Sequence, residues 1–420
     1  MDPPTSTDRS RGATRSSTMA KRRRQESSEK RCDCDCGKRR RKHLYLVLDD
    51  WDKGFSVHRL DALSFLFRDD SDGSDDNGGE TLRRLPDPPA VRITEARHSL
   101  CSLPAWAPPS SSPTRNNFPL KPPAPSSTTR RVETAAMAMG PGLPENPCCV
   151  FVAAGRGESK DDKGRKHNEN EKLYTLAKVD HGGRSNHPSG HLMGVSVHAL
   201  SWARNPAAVA EPWLPSHEWA WESVAAPMAP FDGNEETVVS YAVHPDGRTI
   251  FFSTRGRGWR PAGTYSFDTQ QGEWRSHGEW VLPFDGQGYF ERELDAWVGL
   301  HKDGYICCCQ AATATPEAGA APEWRKTERK LFREGDRERH LGATLTYMGN
   351  NVFCLVESVV QEGVEPGRAY GAGRGCALHV TVFGLRYSRD GELQATVRRV
   401  TKSYAVCKYI PGFTHEAFWM

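Results

Sequence analysis

The chain has 420 residues, room for one large domain or two ordinary ones. Hydrophobic residues make up only 37% and mean hydropathy is −0.66, so a substantial part of the chain is expected to stay unfolded. Its 38 glycines and 29 prolines are too many for a helical bundle. No stretch approaches the roughly 18 to 20 apolar residues that cross a bilayer. No apolar core follows the N-terminus as a secretory signal requires, so membrane and secreted classes are not expected.

The net charge of +3 hides an asymmetry. Residues 1–42 hold 14 Lys or Arg against 6 Asp or Glu, a net of +8, which leaves −5 for residues 43–420. The basic character therefore belongs to an arm, and no general polyanion-binding surface is implied for the body. This arm is too polar to offset its ordering entropy and is expected to be disordered. Within it, Lys21, Arg22, Arg23 and Arg24 form one basic cluster, and Lys38, Arg39, Arg40, Arg41 and Lys42 a second, with 13 residues between them. Two basic clusters on a flexible spacer match a bipartite nuclear-localisation signal, so an import receptor is an expected partner and the nucleus, or both nucleus and cytoplasm, the expected location. The plainer readings are a solvated basic tail with no reader, or a weak, non-specific nucleic-acid contact through phosphates alone within 21–42. Met19 just precedes the first cluster and is a possible alternative start. Cys32, Cys34 and Cys36 alternate inside the arm, three thiols where a closed zinc site needs four ligands.

From His43 the pattern changes. Leu44–Leu48 and Phe55–Leu60 read as strands joined by a turn at Asp49–Gly54. An acidic, glycine-rich loop follows at 69–80. Residues 104–147 hold 11 prolines in 44 positions and read as a disordered insertion. Leu173–Asp180 is a further strand.

The second half is richest. Val238–Val243 runs through His244-Pro-Asp-Gly247 into Thr249–Phe252. Ala296–Leu300 runs through His301-Lys-Asp-Gly304 into Tyr305–Cys308. Thr344–Tyr347 runs through Met348-Gly-Asn-Asn351 into Val352–Val356. Asp-Gly between apolar runs signals a hairpin, because these residues tolerate the positive φ of the turn. Third strands are expected at Gly263–Asp268 and Leu378–Phe383, with Leu173–Asp180 and Phe55–Asp61 as weaker copies, and a fourth at Gln394–Val400. A degenerate repeat of about 45 to 60 residues with up to four strands points to propeller blades. Units starting near 43, 148, 238, 295 and 341 give five, with a sixth possible. Trp202, Trp221, Trp274, Trp297 and Trp324 are then candidate wedges between blades. An irregular β-sandwich is the competing architecture.

The segment Gly263-Thr-Tyr265-Ser-Phe-Asp268 with Glu273-Trp274 resembles a kelch unit, in which an aromatic strand precedes a tryptophan by about nine residues. More widely, Lys38–Asp50, Tyr265–Thr269, Glu273–Phe284 and Leu294–Gly304 together resemble a large family of grass proteins, first described from rice, of unknown function and kelch-like propeller character. The resemblance spans roughly 38 to 410, and the insertion at 104–147 looks peculiar to this member. It implies an all-β, kelch-like β-propeller of about five to six blades over 43–420, and a plant source. It brings no activity, and so no catalytic residues, cofactor or metal.

The remaining motifs are judged on their chemistry. Cys307-Cys-Cys309 on a predicted strand reads as buried apolar filling in preference to a redox site. The other cysteines likewise read as free thiols of a reducing compartment. His187, His191 and His198 fall in a predicted loop without a defensible ligand spacing. Gly155-Arg-Gly157 and Gly371–Gly375 lack the lysine and helix of a phosphate loop and read as turns. Arg255, Arg257, Trp259 and Arg260 form a basic, aromatic loop between strands, the kind of rim segment that makes contacts in a propeller. The function expected is a non-enzymatic interaction scaffold presenting rim loops to a protein partner. A ubiquitin-ligase substrate receptor is a specific form of it, although no F-box-like helical pattern precedes His43. An enzyme with its site in the central funnel and a nucleic-acid-associated protein acting through the arm are the alternatives.

Overall fold

The computed structural model describes residues 43–61, 82–94, 147–155, 159–160, 166–167, 172–180, 193–205, 207–211, 213–214, 216–257, 262–312, 321–333, 335–395, 400–410 and 415–419. The basic clusters at 21–24 and 38–42, the cysteines at 32–36 and nearly all of the proline-rich insertion lie outside them. Among the described residues the main strands form five four-stranded antiparallel blades of a β-propeller, the third and fourth joined into one sheet by a parallel pair of inner strands, with Arg83–Arg84 pairing parallel at the edge of the fifth and a separate pair at Ser159–Lys160 and Lys166–His167. One four-residue helix, Ala207–Ala210, and a 3₁₀ turn, Pro366–Arg368, complete the regular structure. Among these residues no helix is long and apolar enough to cross a membrane.

From the axis outward, the second blade is Pro147–Ala154, Lys172–Asp180, Met193–Arg204 and His217–Ser223. The third is Glu236–Val243, Thr249–Gly256, Gly263–Asp268 and Glu273–Gly278, and the fourth Asp285–Glu291, Ala296–Leu300, Ile306–Gln310 and Trp324–Lys326. The fifth is His340–Gly349, Val352–Val360, Gly371–Tyr387 and Val400–Lys408. The first blade joins the two ends of the chain. Its inner strand is Glu416–Trp419, paired with Leu44–Trp51, then Gly54–Leu60 and Val91–Thr94. Leu44 lies opposite Trp419 and Val47 opposite Glu416.

A lone sheet of this kind leaves two apolar faces in water, and radial packing covers them. Leu44, Leu46, Leu48 and Trp419 of the first blade share one layer with Cys354, Val356, Leu378, Val380 and Tyr404 of the fifth. The second and third blades meet through Val152, Leu176, Val197, Phe252 and Phe267. Ala242, Phe251, Phe284, Trp297, Cys307 and Cys309 fill the wedge between the third and fourth, and Val298, Ile306, Cys308, Leu345, Phe353 and Phe383 that between the fourth and fifth. Two smaller clusters stay apart from these layers, one around Phe55 in the first blade and one around Phe151, Leu173 and Leu200 in the second.

This packing explains the triple cysteine. Side chains alternate across a strand, so Cys307 and Cys309 fill one wedge and Cys308 the other. Burial pushes the thiols of Cys308 and Cys309 up to about 12 and that of Cys307 higher still. They are inert space-fillers.

Several expectations are corrected in detail. The turn at His301–Gly304 joins the second and third strands of its blade, whereas those at His244–Gly247 and Met348–Asn351 join first and second strands. The fourth unit therefore starts at Asp285 instead of 295. Leu173–Asp180 lies within a second strand, not a third. The final strand is Val400–Lys408, while Leu393–Ala395 pairs with the long extension of Gly371–Tyr387. His198 lies on a strand, hydrogen-bonded to Ser196 at 2.9 Å. Trp297 is a fully buried wedge, its indole N–H donating to the Val243 carbonyl at 2.8 Å. Trp274 packs beside Phe267 and Phe252 between the second and third blades. Trp221 meets Phe151 edge-on within its own blade. Trp324 is no wedge: it is 46% exposed and stacked on His301. The side chain of Trp202 lies outside the described residues.

Candidate functional site

Two regions of the propeller stand out, a blade tip with exposed apolar side chains and an axial group of polar side chains whose Tyr241 and Tyr289 also pack against the blade layers. The tip joins the outer two strands of the second blade. Asn205 opens it: its side-chain oxygen accepts the Ala207 N–H at 2.9 Å, and its amide donates to Glu218 at 3.2 Å. Backbone bonds from Glu211 to Ala207 and from Leu214 to Glu211 fold the segment into a compact turn. This hydrogen-bonded frame leaves Val209 88% and Trp213 78% exposed.

The predicted rim residues Arg255 and Arg257 are exposed at the end of a second strand in the third blade. The Arg257 N–H donates to the Glu235 carbonyl at 2.7 Å, which fixes the start of the loop. Trp259 and Arg260 lie outside the described residues. Another surface cluster surrounds Tyr305, whose ring lies 4.3 Å from the Lys326 ammonium and 5.6 Å from that of Lys330.

The axial region is built by small residues. Inner strands of the third and fourth blades run parallel, with Ser240 opposite Gly286, Tyr241 opposite Gln287 and Ala242 opposite Gly288. On one face of this ribbon the small residues admit the Phe284 ring, which occupies the space a Cβ on Gly288 or Gly299 would need. Alternation puts Tyr241, Gln287 and Tyr289 on the other face. The Tyr289 hydroxyl donates to the Leu345 carbonyl of the fifth blade at 3.1 Å. On either side of Leu345, Thr344 and Thr346 donate to the carbonyls of His415 and Ala417, each at 2.9 Å. These bonds hold Glu416, the residue between, at the level of Leu345. Ala417 and Trp419 enter the layer between the first and fifth blades, so Glu416 projects from the opposite face of its strand.

The electrostatics agree with this convergence. Burial raises the Glu416 carboxyl well above the carboxylate range. Burial also pushes up the phenols of Tyr241 and Tyr289, and the Glu416 charge adds to both shifts. Gln287 Oε1 is buried without a hydrogen-bond partner. Among the described residues, no group of three or more His, Cys, Asp or Glu side chains is placed to hold a metal ion.

The strand that delivers Glu416 is itself clamped. Asp49 accepts the Ile410 N–H at 2.5 Å and the Tyr409 N–H at 3.0 Å where the chain leaves the fifth blade. Burial raises the Asp49 carboxyl and lowers the nearby Lys408 ammonium, each opposed in part by the charge of the other. His415 Nε2 bonds the Val356 carbonyl at 2.8 Å, and burial lowers its imidazole to about 3.

A family model described as "Protein of unknown function (DUF1668)" matches residues 41–404, most of the chain and all but one of the blade strands. The chain belongs to the DUF1668 family. No curated protein matches it. Among solved structures, this DUF1668 chain is similar to one titled "Structure of Dos1 propeller", at 12% identity and a TM-score of 0.23, over 63% of this chain and 92% of that one. The inner strand of the first blade, with Glu416, lies beyond the residues that the DUF1668 model matches. None of the axial residues stood out in the sequence. Tyr241 falls in the predicted strand Val238–Val243 and Tyr289 in no predicted element, and only the pairing of distant strands brings them near Glu416.

Proposed function

We propose that this chain is a non-enzymatic interaction scaffold that docks a protein partner on its blade ends. The observation that carries the reading is the second-blade tip, where a hydrogen-bonded turn holds Trp213 and Val209 out in water. Tryptophan on a pre-ordered loop is the usual anchor of an interface, because little entropy remains to be lost on binding. Burying such an indole is worth on the order of 3 to 5 kcal/mol before association costs. Arg255, Arg257, Trp259 and Arg260 supply a second, basic contact loop.

Residues 21–24 and 38–42 extend this reading to a nuclear scaffold delivered by an import receptor. Kinship with kelch propellers is supported by the packing of Trp274 beside Phe267, the strand-then-tryptophan arrangement of the Gly263–Trp274 unit. A grass origin rests on the wider sequence resemblance.

The test is affinity capture from plant nuclear extract with four proteins: the full chain, the chain lacking 1–42, Trp213→Ala, and Arg255→Glu with Arg257→Glu. A reproducible partner set that Trp213→Ala loses, with folding stability changed by less than about 0.5 kcal/mol, is the expected result. Equal recovery by all four, or no protein above background with any, overturns the scaffold.

A further inference from the structure

The axial cluster has a chemistry that the blade tips do not share. Inner strands of the first, third and fourth blades contribute Glu416, Tyr241, Gln287 and Tyr289, each partly exposed near the axis. None of these four groups carries a positive charge, and two of them hold an oxygen that can accept a further hydrogen bond. Gln287 Oε1 is buried with no donor. Tyr289 spends its proton on the Leu345 carbonyl and keeps lone pairs to offer. Glu416 is a carboxyl group set among phenol rings.

The ligand that such a site prefers follows by elimination. An anion would meet the lone pairs of Gln287 and Tyr289 and no positive charge, and would hold Glu416 protonated. An apolar molecule would leave the Gln287 acceptor unsatisfied, at the usual cost of a buried orphan. A metal ion would find one carboxylate and neutral oxygens, fewer ligands than a protein site for a hard cation provides. An ammonium or guanidinium group brings the missing N–H donors and positive charge, and aromatic rings accept such cations on their faces.

We propose that the propeller axis binds a small organic cation, an ammonium or guanidinium group, with Glu416 as its counter-charge and Gln287 as its buried acceptor. Tyr241 and Tyr289 form the walls. Where Glu416 is protonated before binding, its O–H proton leaves for solvent as the cation arrives, and the resulting carboxylate pairs with the N–H donors. One positive charge enters and one leaves. A free amine and the tip of a partner's lysine share this chemistry. The proposal is independent of the scaffold reading and survives its failure.

The experiment is calorimetric titration of the full chain with n-butylammonium chloride, n-butylguanidinium chloride and neutral 1-pentanol, in two buffers of different ionisation enthalpy. Saturable binding of a cation is expected, with none by 1-pentanol. Heats that differ between the buffers are expected to report release of up to one proton per cation bound. Glu416→Gln keeps the side-chain shape and is expected to weaken binding by about tenfold or more and to abolish the buffer dependence. Gln287→Met leaves the closing strand untouched and is expected to weaken binding severalfold. A peptide carrying one free lysine, run in parallel, identifies the source: tighter binding than butylammonium marks a partner's side chain, and equal or weaker binding marks a free amine. Equal binding of 1-pentanol, no saturable binding by either cation, or affinity unchanged in both variants overturns the proposal.

Discussion

Phe284 and Gly299 give the most direct check on how the third and fourth blades meet. A Cβ added at Gly299 would fall well inside contact distance of Cβ, Cγ and Cδ1 of Phe284, and one at Gly288 would strike the far end of the same ring. Neither glycine has a positive φ, so the backbone itself accepts alanine and the clash is the sole objection. Phe284 is enclosed by Trp297, Phe251 and Cys307 and has nowhere to rotate. Overpacking of this kind costs roughly 1 to 3 kcal/mol. Phe284→Ala removes the ring and opens a cavity at about 3 to 5 kcal/mol. In the double variant the new methyl occupies vacated space, so the combined loss should fall short of the sum by about 1 to 3 kcal/mol. Urea unfolding of the wild type, the two single variants and the double variant, followed by tryptophan fluorescence, measures all four terms. Additive losses, or a Gly299→Ala protein as stable as wild type, would refute the wedge.

Other outcomes follow from particular residues. Trp297→Phe keeps most of the wedge volume but abandons the Val243 carbonyl, and should cost about 1 to 3 kcal/mol in urea unfolding. Asp49→Ala removes the acceptor of the Ile410 N–H and the charge beside buried Lys408, with an expected loss of about 3 to 5 kcal/mol and early exchange of amide hydrogens in 415–419. His415 is held below its unfolded value, so the unfolded chain binds its proton first. Its contribution is therefore complete above about pH 6.5 and falls away toward pH 3, and His415→Gln should flatten the stability–pH curve in that window. For Asp246, burial raises the carboxyl, but hydrogen bonds from His244, Thr249 and the backbone N–H groups of Thr249 and Arg248 outweigh it and lower it overall. Stability from Asp246 is present above about pH 4 and lost as pH falls further, so the gap between wild type and Asp246→Asn in thermal melts should narrow below that pH.

The blade pattern was legible because its signals are local. Asp246-Gly247 and Asp303-Gly304 announce turns, and both glycines take the positive φ that such turns need. Trp297 and Cys307–Cys309 were readable as wedge filling because alternation alone divides a strand's side chains between two faces. What escaped was the position of each strand within its blade. A turn between first and second strands has the same sequence signature as one between second and third, so the His301–Gly304 hairpin passed for an equivalent of His244–Gly247. The largely exposed Trp213 was hidden for the opposite reason. Its exposure comes from the Asn205 turn, and no periodicity separates it from the buried aromatics. The axial groups depend on pairings between residues as far apart as Val47 and Glu416, which no local pattern carries.

The first blade links ring closure to the axial chemistry. Its inner strand is the last described stretch of the chain, and it supplies both the hydrogen-bonded partner of Leu44–Val47 and the carboxyl of Glu416. Thr344 and Thr346 tie that strand to the fifth blade, and Tyr289 ties the fourth blade to the same level. A cation held by Glu416 and Gln287 therefore bridges the inner strands of the first and fourth blades, which are distant in the sequence. Such a ligand binds only the closed form, and mass action makes it stabilise closure in proportion to its occupancy. The Asp49 clamp and the His415 bond act on the same equilibrium from outside the axis. Weakening either should lower cation affinity without touching a ligand-lining residue.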